Sequence, residues 1–566
     1  MNSPLKPFYI KFFSVILISC LGILIYSNTL HCSFHFDDNF FIIQNLAIRN
    51  IHNLRDIWGY FPCRFVVFLS FAINYYFDHF NVVGYHLFNI AVHLVSALLV
   101  WWLTRLTFFT PIMKNDKAAQ SADLIALLAG LVFVSHPVQT ESVTFIWQRV
   151  ASMATMFYLA SLCLYIKSRI SRDSGVFYCF SLITAIMAMF SKETSITLPL
   201  VILLYEFTFL KEKGSLNWSK PFPFLIAILI IPWVTFFTNS EKIQYIHGAI
   251  SGSPMAYLLT QFRVMVTYIR LDFFPFNLNL DYDYHISRSI LEFPTLISLL
   301  FLITILFWAK HLFLKYRLVS FSIFWFFLTS LPESMPFPVK DVIFEHRLYL
   351  PLVGFSIFLV SGAYYLIGKR SIKTMIIILM MIVSLNSILT YQRNKIWKND
   401  SALWDDAILR SPHKARPYLN RGLVYCDQGK TDLCLAYVNK AISVDPDYST
   451  AYVNRGIIYE EQGRLIKAII EYSKAIMIAP NNEEAYYKRA FLSQKLGVAS
   501  QAILDFTKII EIYPDFVEAY DHRAFNYYQL KKYDKAWGDV HKLEELGTVV
   551  DPGFISMLKK ASGKDQ

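Results

Sequence analysis

Hydropathy divides the chain into two regions with different periods. Before residue 392, long apolar runs recur, near 8–28, 85–106, 122–138, 150–166, 176–190, 195–210, 221–238, 292–309, 318–331, 351–367 and 374–391. Most approach the length needed to cross about 30 Å of hydrocarbon as a helix, which predicts about eleven spans. The run Met255–Phe274 is interrupted by Arg263, Arg270 and Asp272, and Phe65–Phe77 is flanked by Arg64 and Asp78. Both predict re-entrant or interfacial helices. Beyond residue 417 the apolar positions follow a period of 34. Tyr418, Tyr452, Tyr486 and Tyr520 share one register, and Arg421, Arg455, Arg489 and Arg523 another. Gly422, Gly456, Ala490 and Ala524 share a third, Cys434, Ala468, Ala502 and Ala536 a fourth, and Pro446, Pro480 and Pro514 close successive units. Small residues at fixed contacts and a closing proline predict stacked pairs of antiparallel helices.

Composition sharpens the division. Of 566 residues, 55% are hydrophobic and only 17% are charged, against about 25% in soluble proteins. Disorder, collagen and a small disulfide scaffold are excluded, and an ordinary cytosolic enzyme nearly so. Residues 392–566 hold 25 Lys and Arg against 23 Asp and Glu, while the first 391 hold 28 against 19. The net charge of +11 therefore belongs mostly to the apolar part. Placing the N-terminus in the cytoplasm puts 17 of those 28 cations on cytoplasmic segments, among them Arg105, Lys167, Lys211, Lys310, Arg317 and Lys369. This is the positive-inside pattern, so no nucleic-acid partner is needed to explain the charge. Eleven spans would place the C-terminal region across the membrane, and the first run reads as an uncleaved anchor. The fold expected is all-α: a polytopic membrane bundle (1–391), a soluble repeat solenoid (392–547) and a cap with a tail (548–566). Trp397, Trp404 and Pro412 read as a half-unit before the first full repeat.

The seven cysteines show no CxxC or metal-ligand spacing, and no metal is expected. Cys426 and Cys434 fall in one repeat and are expected to be buried, reduced thiols. The Arg register reads as a bridge between neighbouring repeats, with lining of a concave surface as the alternative.

Ionisable residues at or in spans default to a functional hypothesis. Asp37 and Asp38 sit just beyond the first run. His86, Asn89 and His93 share one helix face at i, i+3 and i+7; a helix–helix contact is the plainer reading of this face, ahead of zinc. His136, Glu141 and Arg149 form a third group, Lys192 and Glu193 a fourth, and Glu345, His346 and Arg347 a fifth. In the eleven-span topology the carboxylates and the cations Arg149, Lys192 and Arg347 converge at outer span ends. Interfacial anchoring by snorkelling side chains is the plain reading. Cations beside a carboxylate base would also suit a lipid-linked phosphate donor.

These stretches carry a family resemblance. Phe36-Asp37-Asp38, Tyr85-His86 with Asn89 and His93, His136-Pro137 with Thr140-Glu141 and Arg149, Ser191-Lys192-Glu193, Arg270 with Phe274-Pro275 and Leu278, and Glu345-His346-Arg347-Leu348-Tyr349-Leu350-Pro351 resemble the transmembrane and tetratricopeptide-repeat-containing O-mannosyltransferases of the glycosyltransferase C superfamily. The 34-residue units resemble the tetratricopeptide repeat. The resemblance implies transfer of a mannose-like hexose from a polyprenyl- or dolichyl-phosphate to Ser or Thr hydroxyls of an extracytoplasmic protein held by the repeats. Asp37 or Asp38 would be the general base. Arg64, His86, Asn89, His93, His136, Glu141, Arg149, Lys192, Glu193, Glu345, His346 and Arg347 would bind substrate. No cofactor is expected, the lipid-linked sugar being a substrate. The expected location is a bacterial inner membrane with periplasmic repeats, or the endoplasmic reticulum with lumenal repeats. The alternatives are a non-catalytic membrane-anchored scaffold, and a ligase or polymerase acting on lipid-linked glycans.

Overall fold

The computed structural model describes residues 7–171, 174–211, 218–238, 253–335 and 341–563. Among them all regular structure is helical. The chain forms two compact units, Met1–Asp406 and Ala407–Gln566.

In the first unit, eight helices among the described residues are long and apolar enough to cross a bilayer. They are Lys11–Thr29, Val82–Thr107, Lys117–Ser135, Ile146–Ile170, Glu193–Leu210, Phe293–Leu312, Pro351–Gly368 and Ile372–Lys398. Hydrocarbon leaves backbone polar groups no partner outside the segment, so helices are what spanning runs form. Phe293, Leu300 and Phe307 are exposed on one helix, the apolar outer face of a multi-pass membrane domain.

Eight of the eleven expected runs form these helices, and the other three form shorter or Pro-bearing ones. Ser174–Met189 and Phe222–Phe236 are apolar but shorter. The latter breaks at Ile228 and Leu229, between Phe222–Ala227 and Ile230–Thr238. Pro232 lies four residues after Ile228 and has no N–H to offer its carbonyl. The third, Arg317–Ser334, is an 18-residue helix carrying Pro332 and Glu333. Leu54–Tyr60 and Pro62–Asp78 meet at 110°, a broken span or re-entrant loop, in keeping with the interfacial reading of Phe65–Phe77.

Small residues let the helices approach. A Cβ on Gly130 would lie 2.7 Å from Ile18 and 3.3 Å from the Ala97 carbonyl, and one on Gly354 would lie 2.8 Å from the Ser322 carbonyl, the close backbone approach of membrane helix pairs. The unit extends past residue 391 because the next residues pack into it. Trp397 is buried, stacks on Phe145 and accepts from His35 Nε2 at 2.7 Å through its carbonyl. Trp404 meets Phe36 edge-on, and His35 Nδ1 reaches Asp400 at 2.6 Å.

The second unit contains four helix pairs: Ala415–Asp427 with Thr431–Val444, Ser449–Glu461 with Leu465–Ile478, Glu483–Lys495 with Ala499–Ile512, and Val517–Gln529 with Tyr533–Glu545. Pro552–Ser562 follows as a cap. Turns within pairs need left-handed backbone at Gly429, Gly463 and Gly497, and Lys531 adopts it at the fourth equivalent position with φ of 57°. The Arg register bridges repeats. Arg489 donates to Asp505 of its own repeat at 2.9 and 2.7 Å and to Ser473 of the preceding one at 2.9 Å. Arg523 does the same with Asp539 and Thr507, and Arg455 with Glu471 and Asn439. The expectation of reduced thiols at Cys426 and Cys434 is corrected: they form a disulfide with Cα atoms 5.3 Å apart. The tight turn through Gly429 places the last turn of one helix against the first turn of the next.

Candidate functional site

The site grows from the ends of the apolar helices, where charges meet little water. Lys192 precedes the 3-10 turn Glu193–Thr197, and His346 and Arg347 lie in the turn Glu345–Leu348. Opposite them, Glu333 occupies the last turn of Arg317–Ser334. Its Oε1 accepts from Lys192 Nζ at 2.6 Å, and its Oε2 pairs with Arg347 Nε at 2.9 Å. The second contact is an ion pair without hydrogen-bond alignment. Arg347 also donates to the carbonyls of Val342 and Asp341, both at 3.0 Å. These residues line a cleft that opens to solvent. Its walls also carry Thr155, Gln261, Tyr268 and Ser330. Gln261 Oε1 and Ser330 Oγ are buried there without a protein partner, unusual for native polar groups unless water or ligand meets them.

Glu141 holds His346 from behind. Its Oε1 lies 2.7 Å from His346 Nδ1, and its Oε2 accepts the His346 backbone N–H at 2.9 Å. Glu345 turns away, accepting from Tyr282 Oη at 2.7 Å and from the Asn279 backbone N–H. Burial raises both carboxyls above the usual carboxylate range, and Glu141 raises Glu345 further. Burial pushes His346 well below the ordinary imidazole value; Lys192, Arg347 and Arg64 act the same way, against Glu333. Burial and the two neighbouring cations thus disfavour the charged form of the imidazole in the cleft.

A second cluster adjoins the first. Arg64 forms a two-pronged pair with Glu193, 3.2 Å on each side, and lies over the rings of Phe61 and Trp147. Trp147 stacks on Phe41 at 3.9 Å, and its backbone N–H donates to Asp38 Oδ1 at 2.7 Å. The His35 backbone N–H occupies Asp38 Oδ2 at 2.9 Å. Asp38 is fully buried, and burial pushes it up to about 7 despite those two N–H donors. Asp37 is half-buried. A continuous series of contacts thus runs from Asp38 through Trp147, Arg64 and Glu193 to Lys192.

The remaining sequence candidates are not brought to the cleft. Arg149 is entirely buried and donates to Asn89 Oδ1 at 2.6 Å, Asn74 Oδ1 at 2.7 Å, Ser70 Oγ at 3.1 Å and the Tyr85 carbonyl at 3.0 Å. Phe71 and Phe88 face its guanidinium at 4.4 and 4.3 Å. It serves as an internal brace, and this geometry corrects its expected place on a phosphate. Asn89 also donates to the Val143 carbonyl at 3.2 Å. His86 Nε2 meets the Cys32 carbonyl at 3.0 Å. His93 joins Tyr349 Oη at 2.7 Å and the Val134 carbonyl at 3.2 Å. His136 Nε2 meets the Asp272 carbonyl at 2.9 Å. These contacts tie the three histidines to backbone carbonyls and to Tyr349 inside the bundle. Among the described residues no group of three or more His, Cys, Asp or Glu could hold a metal ion. Sequence reading missed Glu333 and Trp147. Glu333 had a signal, a lone carboxylate two residues beyond an apolar run; Trp147 had none among so many aromatics.

Comparison with known proteins bears on both units. Family models described as "Tetratricopeptide repeat" match residues 415–448 and 437–470, and one described as "TPR repeat" matches 458–497. A Caenorhabditis elegans protein, "Protein O-mannosyl-transferase F38B6.6", is 27% identical over 77% of this chain and 63% of its own length. The Homo sapiens "Protein O-mannosyl-transferase TMTC3" is 24% identical over 75% of this chain and 50% of its own. By sequence, the relatives of this chain are protein O-mannosyl-transferases. The chain spans about half to two-thirds of the length of these curated relatives. Among solved structures, "Crystal structure of MamA" matches 26% of this chain and 86% of that one at 23% identity, with a TM-score of 0.24. The resemblance read from Asp37-Asp38 through Pro351 and the 34-residue period is thus met by homologues that align with three quarters of the chain.

Proposed function

We propose that this chain is a membrane protein O-glycosyltransferase. It moves a mannose-like hexose from a polyprenyl-phosphate donor to Ser or Thr hydroxyls of a protein held by the repeats. The observation that carries the reading is the cleft at the helix ends, where Lys192, Arg347 and His346 gather among hydroxyl and amide side chains. Cations positioned before reaction stabilise the charge that develops on a departing phosphate. Gln261, Ser330 and Thr155 offer the neutral hydrogen-bonding partners that a sugar's hydroxyls need. The homologues named as protein O-mannosyl-transferases support the same chemistry.

In this reading Asp37 is the general base. It takes the proton of the acceptor hydroxyl as the oxygen attacks the anomeric carbon, the anomeric C–O bond to phosphate breaks, and the configuration inverts. Asp38 has both oxygens occupied by backbone N–H groups and holds the loop. The membrane domain stands in a bacterial inner membrane; with the three shorter or Pro-bearing apolar helices also crossing, as the positive-inside pattern favours, the cleft and repeats lie on the far side from the cytoplasm. The test is transfer of labelled mannose from a polyprenyl-phosphate donor to protein, with membrane-inserted variants. Asp37→Asn is expected to lower transfer 10²- to 10⁴-fold, the range of a lost general base, with no loss of folded protein. Wild-type transfer in the Asp37→Asn, Asp38→Asn double variant overturns the reading.

A further inference from the structure

Among the described lining residues of the cleft, Lys192, Arg347 and Glu333 carry charge, and Glu141 lies behind His346 at 2.7 Å. The neighbouring Arg64 and Glu193 cancel in their own pair. Glu333 bridges Lys192 at 2.6 Å and Arg347 at 2.9 Å, and its side chain is 19% exposed. Its carboxylate lies against both cations, where an incoming anion would seek them.

We propose that Glu333 is a specificity-determining residue: lying against both cations, it lowers the positive charge of the cleft by one and so favours a phosphodiester monoanion over a phosphomonoester dianion. The proposal rests on the donor reading above. A sugar joined through phosphate to a lipid is a diester with one negative charge. The lipid phosphate left after transfer is a monoester, with a second pKa near 6 and close to two charges at pH 8. In a cleft partly shut off from water, an unmatched charge is poorly screened. The intact donor brings one negative charge and is held; the spent lipid phosphate brings nearly two, meets the Glu333 carboxylate and is released. The same carboxylate that weakens anion binding overall thereby prevents product from holding the site.

The test is equilibrium binding at pH 8 of decyl phosphate, a monoester, and decyl methyl phosphate, a diester, to the detergent-solubilised full chain. Wild type is expected to bind the diester at least as tightly as the monoester. Glu333→Gln keeps the side-chain shape, adds one positive charge and is expected to shift preference towards the monoester at least about fivefold, the worth of one charge pair at 4 Å in bulk water. Lys192→Met removes one and is expected to shift preference the opposite way. Should Glu333→Gln fail to fold, the Lys192→Met shift decides alone. A monoester-to-diester ratio within twofold of wild type in the folded variants overturns the proposal and leaves the donor reading intact. Failure of wild type to bind either probe overturns the donor reading, and the proposal with it.

Discussion

Arg149 in the membrane unit and Arg489 and Arg523 in the repeats are held in opposite ways. Arg149, in the membrane unit, is met by neutral oxygens and aromatic faces. Arg489 and Arg523, in the repeats, are met by the carboxylates Asp505 and Asp539. A cation held by neutral dipoles needs many partners at once, and removing it leaves several acceptors without a donor. A cation held by one carboxylate makes an exchangeable pair: remove both and little is left unsatisfied. The membrane unit thus braces the helices around Arg149 with dipoles, while pairing Arg169 with Glu206 and Arg393 with Asp406 elsewhere, whereas the repeats use charge as mortar at every Arg–acid pair.

Substitutions can break this contrast. Arg149→Met strands Asn89, Asn74 and the Tyr85 carbonyl in a buried site. Loss of about 3–5 kcal/mol is expected, read as failure to recover monodisperse protein. Arg149→Lys should not rescue, because an ammonium lacks the planar spread of donors. The buried carboxyl in the same unit predicts a pH effect. Asp38 titrates at about 7 when folded against 3.8 for its unreacted reference, so between about pH 4 and 7 the folded chain keeps a proton that the unfolded chain has released. Wild-type stability should fall as pH rises through that window. Asp38→Asn cannot titrate and should lack this slope, so its deficit relative to wild type narrows from pH 4 to pH 7 in thermal unfolding. In the repeats, Arg489→Met leaves the Asp505 carboxylate buried and should cost about 2–3 kcal/mol. The double variant Arg489→Met, Asp505→Leu should recover much of that in a urea-unfolding cycle, while no single companion change recovers Arg149→Met. Cys426→Ser removes a cross-link between residues eight apart; the loop-closure estimate is about 2.5 kcal/mol, and reductant should produce the same loss in wild type only. The smallest effect is a gain: Lys531→Gly relieves a left-handed residue and should stabilise by about 1 kcal/mol.

Much of this architecture was readable as period and patch. The 34-residue Arg register announced the bridges, but their acceptors escaped notice. Glu471, Asp505 and Asp539 keep the same period, and Tyr437 breaks it in the first repeat. Span counting read apolar length and could not see a helix break, which is why 221–238 was taken as one crossing. At the site, Lys192, His346 and Arg347 stood out because charge is rare beside apolar runs. Arg149 stood out for the same reason and proved to be a brace, since residue type does not reveal whether neutral partners surround it. Glu333 was hidden by position: it follows Leu331-Pro332, where the apolar run reads as finished. The Trp397 and Trp404 lead resembled the start of the repeats, yet burial of Trp397 beneath His35 and Phe145 binds that segment to the membrane unit.

That clasp has a consequence for the order in which the protein comes into being. The loop bearing Asp37 and Asp38 is made within the first 40 residues, yet His35 is secured by Trp397 and Asp400, and Asn394 fastens the Ile25 carbonyl at 2.9 Å. During synthesis the loop must wait for some 360 further residues before its anchor arrives. A ribosome that stops short of residue 394 leaves behind a bundle with most of its helices and an unfinished centre, so competence is conferred late and all at once.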